Sequence, residues 1–258
     1  MTLSGLEFKK TYGKTFYKVL RPDLIHHGFR YRPGLNIDTV PFDPSESCKP
    51  GGLYFADIKN LLKFLNYGNQ IAEIEIPDDS LVYIENNKFK TDKFIIGNII
   101  TNETEILQLL KQSRDAGCPW NESTCEFAAK NGHLEVLKWV KDNGCPWNEW
   151  TCVDAALNGH LDVLKWARDN GCLWNSYTCH DAALNGHLEV LKWARDNGCP
   201  WNERTCANAA ANGHLEVLKW ARENGCPWNK RTFAAAAANG HVKVLKWARD
   251  NGCPWDGE

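Results

Sequence analysis

Asn185-Gly186-His187-Leu188-Glu189-Val190-Leu191-Lys192-Trp193-Ala194-Arg195-Asp196-Asn197-Gly198-Cys199-Pro200-Trp201 recurs with small changes along the second half of the chain. Its histidine returns as His133, His160, His187, His214 and His241, each 27 residues after the last. A fixed period of this length marks a solenoid, in which each unit hides its apolar face against its neighbours. The expected architecture is therefore mostly α, an α-solenoid with a separate domain before it.

Each unit reads as helix, turn, helix, turn. Thr124, Thr151, Thr178, Thr205 and Thr232 begin the five units and are expected to cap the first helix. Cys125, Ala128 and Ala129 give that helix a small buried face, and Asn131-Gly132 ends it with a glycine free to adopt positive φ. Leu134, Val136, Leu137 and Val140 build the second helix, which Asn143-Gly144 stops before Cys145-Pro146-Trp147. Both tryptophans of a unit are expected in the core, each worth roughly 5 kcal/mol gross on burial. Residues 101–123 form a half-unit that reads as a cap, and the full units occupy 124–258. The last unit ends at Trp255 with no polar capping repeat after it, so that face could pair with a second copy.

Residues 1–100 carry no repeat, and every tryptophan lies beyond residue 119. Thr15–Leu20 alternates as a half-buried strand does, and Leu53-Tyr54-Phe55 is a short strand entered through Lys49-Pro50-Gly51-Gly52. Asp57–Asn66 places Ile58, Leu61, Leu62 and Leu65 at helical spacing, with Asp57 as the expected cap. Gln70–Ile76 and Leu81–Ile84 read as further strands. A small α+β domain is expected.

The charge balance, 30 basic against 32 acidic residues, offers nothing to a nucleic acid. The start lacks an apolar signal core, and no run approaches a membrane span. A soluble, cytoplasmic protein is the expectation. Ten of the eleven cysteines fall in the repeats, where a reduced, buried thiol packs well. His26-His27 has no accompanying ligands, and a repeating Cys125/His133 pair falls short of the four ligands zinc needs. Asp78-Asp79 suits a turn, and Gly51-Gly52 lacks the phosphate-loop pattern. No metal or cofactor is expected.

The stretch Ala-Ala-x-Asn-Gly-His-Leu-Glu-Val-Leu-Lys-Trp-Ala-Arg-Asp-Asn-Gly-Cys-Pro-Trp-Asn resembles the ankyrin repeat. The resemblance puts Trp139 at a core leucine position, Trp147 at a core valine and Cys145 at the small alanine. The period is shorter than the usual ankyrin length of about 33, and most of the β-hairpin finger is missing. The tryptophan-rich form, together with Gly34–Phe42 and Cys48–Phe55, resembles ankyrin proteins of giant, mimivirus-like DNA viruses. Gly52–Asp57 followed by a helix and Ala72–Ile76 also resembles the middle of the ADP-ribosyltransferase fold. That likeness would give Tyr54 the nicotinamide-stacking role, Glu73 or Glu75 the carboxylate, and Arg21 the place of the arginine of one branch.

Because framework positions barely change between units, the positions that do change are free of packing. The pairs after each Trp-Asn differ most: Glu149-Trp150, Ser176-Tyr177, Glu203-Arg204 and Lys230-Arg231. Stacking should align Trp150, Tyr177, Arg204 and Arg231 along one edge, and these are residue types favoured at binding hot spots. First-helix pairs containing Phe127, Asp154 and Asp181 vary as well. The expected function is recognition of a host or viral protein by this surface. The alternatives are an enzymatic front domain whose target the array recruits, and a structural or virion-associated protein.

Overall fold

The computed structural model describes residues 1–13, 15–45 and 50–256. Cys48 and Lys49, part of the stretches compared above, lie outside the described residues. Two compact units emerge: Met1–Phe127 with Asp142–Cys145, and Ala128–Lys141 with Pro146–Glu258.

The first unit begins with β1 (Thr2–Ser4) and α1 (Gly5–Tyr12), the latter opened by a reciprocal Ser4/Glu7 capping box. Then come β2 (Phe16–Leu20), β3 (Ile25–His26), β4 (Phe29–Arg30), β5 (Gly34–Ile37) and β6 (Leu53–Phe55). A 3-10 helix (Leu61–Tyr67) leads to β7 (Gln70–Glu75), β8 (Leu81–Ile84), β9 (Phe89–Thr91) and β10 (Lys93–Ile100). These strands make two four-stranded antiparallel sheets, ordered β1-β8-β9-β6 and β2-β7-β10-β5, with β3-β4 a separate hairpin. The sheets share one core. Phe16, Ile74, Phe94 and Ile96 come from one, and Leu53, Phe55, Val82 and Phe89 from the other. Phe8, Phe16, Phe55 and Phe89 cluster with centroids 4.8–6.0 Å apart.

The expected helix at 57–66 is instead the shorter 3-10 turn, which still buries Leu61, Leu62 and Leu65. Asp57 does not cap it; its carboxylate accepts from the Asn60 side chain at 2.9 Å. Strand β2 is buried along its whole length rather than half-buried. The half-unit supplies α2 (Glu103–Asp115), capped by Asn102 and tied to the rest of the first unit by Ser113 Oγ donating to Ile58 O at 2.6 Å.

The array is built from paired nine-residue helices. They are α3 (Glu122–Lys130) and α4 (Leu134–Asp142), α5 (Glu149–Leu157) and α6 (Leu161–Asp169), and α7 (Ser176–Leu184) and α8 (Leu188–Asp196). The last pairs are α9 (Glu203–Ala211) with α10 (Leu215–Glu223) and α11 (Lys230–Ala238) with α12 (Val242–Asp250). In the second unit the first helices α5, α7, α9 and α11 stack in succession. The caps are the asparagines rather than the threonines. Asn148, Asn175, Asn202 and Asn229 each accept the N–H two residues on at 2.9 Å. Thr151, Thr178, Thr205 and Thr232 lie one turn inside, fully buried.

The tryptophans are a second correction. Val163, Leu164 and Ala167 occupy the centre of the buried face of α6, and Trp166 falls on its flank. The internal tryptophans of both kinds are half-buried, so each contributes only part of the burial expected above. They meet edge-to-face between repeats, as Trp147–Trp166, Trp174–Trp193, Trp201–Trp220 and Trp228–Trp247, at 5.7–5.9 Å. Guanidinium groups of Arg168, Arg195 and Arg222 cover Trp174, Trp201 and Trp228 at 4.1–4.3 Å.

Candidate partner-binding surface

Stacked first helices repeat the same side-chain position every 27 residues, and this turns sequence positions into rows. Trp150, Tyr177, Arg204 and Arg231 are each the second residue of their helices. Trp150 is 44 % exposed and Tyr177 41 %, and their rings lie 5.6 Å apart across neighbouring repeats. Arg204 and Arg231 are exposed at the next two steps. Glu149 and Glu203 are half-buried beside them, and Lys230 is exposed and paired with Asp256 at 3.1 Å.

One helical turn on, Asp154 and Asp181 lie on the same helix face as Trp150 and Tyr177, both half-buried. Burial raises the Asp181 carboxyl above its ordinary range. Phe127, from the same position of α3, is 2 % exposed. A ring already sealed from water offers a partner nothing, so Phe127 does not belong to the surface.

His180 reads only as a variable residue in the sequence, yet it is 2 % exposed and organises the row from beneath. Its Nε2 lies 2.9 Å from Oδ1 of Asn202, the residue that caps α9, and its ring meets Tyr177 edge-on at 5.5 Å. Burial holds its pKa below the ordinary value, against the raising effect of the Asn202 bond. Neither its burial nor the partner 22 residues away is visible in local sequence. Leu173 is a further residue absent from the expected surface: it stands 70 % exposed where the other full repeats place proline.

The periodic histidines are scaffold. His160, His187, His214 and His241 each donate through Nε2 to a backbone carbonyl of the preceding repeat, Lys130, Leu157, Leu184 and Ala211, at 2.9–3.2 Å. The bond spans 30 residues and staples one repeat to the next. Burial, the largest influence, holds the His187 pKa below its ordinary value. A histidine depressed in the folded state stabilises above the unfolded pKa of about 6.5 and loses that contribution as pH falls through the folded value. The urea midpoint should therefore fall between about pH 7.5 and 5.5, and fall less in His187→Gln. An equal or larger fall in the variant would show that His187 is not the group responsible.

Among the described residues the repeat cysteines form no disulfide, and they are buried. Exit-turn thiols of Cys172, Cys199 and Cys226 donate to the carbonyls of the cap residues Asn148, Asn175 and Asn202 at 3.3–3.4 Å, closing each helix pair. Hydrogen bonds to these exit-turn thiols, and then burial, push the Cys152, Cys179 and Cys206 thiols up. Such thiols stay protonated and unreactive.

In the front unit Tyr54 lines a recess with Tyr17, Lys18 and His26, and the Lys88 ammonium sits 4.4 Å from its ring centroid. Glu73 and Glu75 line a different cavity with Lys9 and Thr15. Arg21 lines neither. The geometry does not bring the tyrosine and carboxylates together, and the face a nicotinamide would stack on already carries a cation.

Residues 179–222 and 206–249 match the family model described as ankyrin repeats (many copies). Three ankyrin repeat proteins of Acanthamoeba polyphaga mimivirus are similar to the chain. One is 39 % identical over 79 residues, 30 % of this chain and 39 % of the relative. Another is 39 % identical over 82 residues, 31 % of this chain and 23 % of the relative. The third is 32 % identical over 113 residues, 38 % of this chain and 37 % of the relative. The matched part thus spans well under half the length of these relatives.

Proposed function

We propose that this chain, whose residues 179–249 match ankyrin repeats and which is similar to mimivirus ankyrin repeat proteins, is a protein-interaction module that binds its partner through the row Trp150, Tyr177, Arg204 and Arg231. The observation that carries this reading is the pair of half-exposed aromatic rings in contact across repeats, continued by two exposed arginines. Rigid aromatics and arginine lose little entropy on binding and fill pockets or pair with carboxylates. No helix among the described residues is long and apolar enough to cross a membrane. The partner in this reading is a protein of the host or the virus, met in the host cytoplasm.

Affinity capture from amoebal lysate tests it, with the intact chain beside the variant carrying alanine at all four positions. A partner held by the intact chain should be retained at least about tenfold less by the variant, because hot-spot truncations cost about 2 kcal/mol or more each. Circular dichroism should be unchanged, since none of the four side chains is buried. Equal capture of that partner by both chains would sink the assignment of the surface.

A further inference from the structure

Strand β2 turns Phe16, Lys18 and Leu20 to one face, and that face meets the core: Phe16 is 0 % exposed and Leu20 2 %. Lys18 is 5 % exposed between them. Its Nζ donates to Tyr54 O at 2.8 Å and lies 4.6 Å from the Tyr31 ring centroid. Among the described residues it forms no ion pair with a carboxylate. A buried ammonium without a counter-charge is costly, and it sheds its proton instead. Burial lowers the Lys18 pKa to about 7.

Lys18 lines a recess of about 80 Å³ walled by Tyr17, Tyr54, Phe64 and Tyr67, and the Tyr54 carbonyl that holds its amine belongs to one of those walls. A cavity of about 150 Å³ holds benzene, so this one admits a carbonyl and a few carbons. It shares His26, His27 and Tyr54 with a cleft of about 690 Å³ that is also lined by Arg30, Arg32 and Asp38. The Asp38 carboxylate is engaged by the N–H groups of Gly52 at 2.6 Å and Val40 at 3.0 Å. The two arginines, both exposed, have no ion pair among the described residues, so the cleft favours an anion.

We propose that Lys18 is an imine-forming amine, and that the recess and cleft together take a short aliphatic aldehyde carrying a carboxylate. Desolvated lysines in apolar pockets are the kind that attack carbonyls. The neutral Nζ forms a C–N bond to the aldehyde carbon, and the carbonyl oxygen takes up a proton as nitrogen loses one. The nitrogen lone pair then forms the C=N bond as the C–O bond of the carbinolamine breaks, the hydroxyl leaves as water with the nitrogen's second proton, and the imine remains; no oxidant or reductant is needed. Around the recess the titratable groups are His26, His27, Lys88 and the phenols of Tyr17, Tyr31, Tyr54 and Tyr67. Asp38 acts on Tyr31 and Glu73 on Tyr17.

Succinic semialdehyde, with cyanoborohydride to trap the imine, tests this on the full chain at pH 7, followed by peptide mapping. About half of an amine with pKa near 7 is neutral there, against well under one per cent of an ordinary lysine. Lys18 should therefore be labelled at least about tenfold faster than the exposed Lys10 and Lys230. Butyraldehyde, which lacks the carboxylate, should label Lys18 several-fold more slowly, and the Arg30→Ala, Arg32→Ala double variant should erase that difference. Labelling of Lys18 no faster than of surface lysines would overturn the proposal. Equal rates with the two aldehydes would overturn the anionic part of the ligand assignment.

Discussion

Leu191→Ala is expected to destabilise the array by about 3–4 kcal/mol, and Leu245→Ala, at the equivalent position of the last repeat, by about half as much. Leu191 is 0 % exposed in α8, on the buried face it shares with Val190 and Ala194, and α8 packs against α7, which in turn stacks between α5 and α9. Truncation there leaves a cavity that rigid neighbours cannot fill. Leu245 is only half-buried, Ala237 and Ala238 are exposed, and Val242 is 73 % exposed. The difference follows from the solenoid, because a repeat gains part of its core from each neighbour. Urea unfolding followed by tryptophan fluorescence measures both. Equal losses would mean that each helix pair is a self-sufficient core, contrary to this packing.

Gly186→Ala should cost about 2–3 kcal/mol and Gly198→Ala only about 1, although both residues are glycines following asparagine in one repeat. Both adopt positive φ, +77° at Gly186 and +81° at Gly198, so the backbone penalty of adding Cβ is shared. Their surroundings differ. A Cβ on Gly186 would lie 2.7 Å from Nδ1 of His214, whereas nothing lies within 4 Å of one on Gly198. The methyl would displace the ring that holds the 3.0 Å bond to Leu184 O. His214→Ala in the Gly186→Ala background should therefore restore part of the loss, as a double-mutant cycle reads it. Additive effects would show that the histidine staple and the glycine turn are independent.

The array is legible because its signal is internal: five copies fix the period, and Leu188, Val190 and Leu191 mark the second helix without help from the rest of the chain. Register between repeats then follows, and with it the alignment of Trp150 with Tyr177. What stays hidden depends on angle and on distant contacts. Asparagine and threonine both cap helices, and only packing decides that Asn148 caps while Thr151 is buried. Tryptophan size argues for the core, but the turn of the helix sets Trp166 at its flank.

In the front unit, alternation in Thr15–Leu20 suggests one wet face, yet both faces of β2 are covered by elements far away in sequence. That covering is what conceals Lys18 from a sequence reading. The Ser4/Glu7 pair, by contrast, is a readable signal for α1 that the expectations above do not include. Strand β10 offers less: Phe94, Ile95, Ile96, Ile99 and Ile100 do not alternate, and its pairing with β7 shifts register between Ile96 and Ile99.

The most direct test of the central claim is a photo-crosslinking amino acid placed at position 177, compared with one at position 196 on the second helix of the same repeat. Exposed to host lysate and light, the first should yield one recurring protein adduct, lost when Trp150, Arg204 and Arg231 are all alanine, and the second should not. The same adduct from position 196, or its survival in the triple variant, would contradict recognition through the first-helix row.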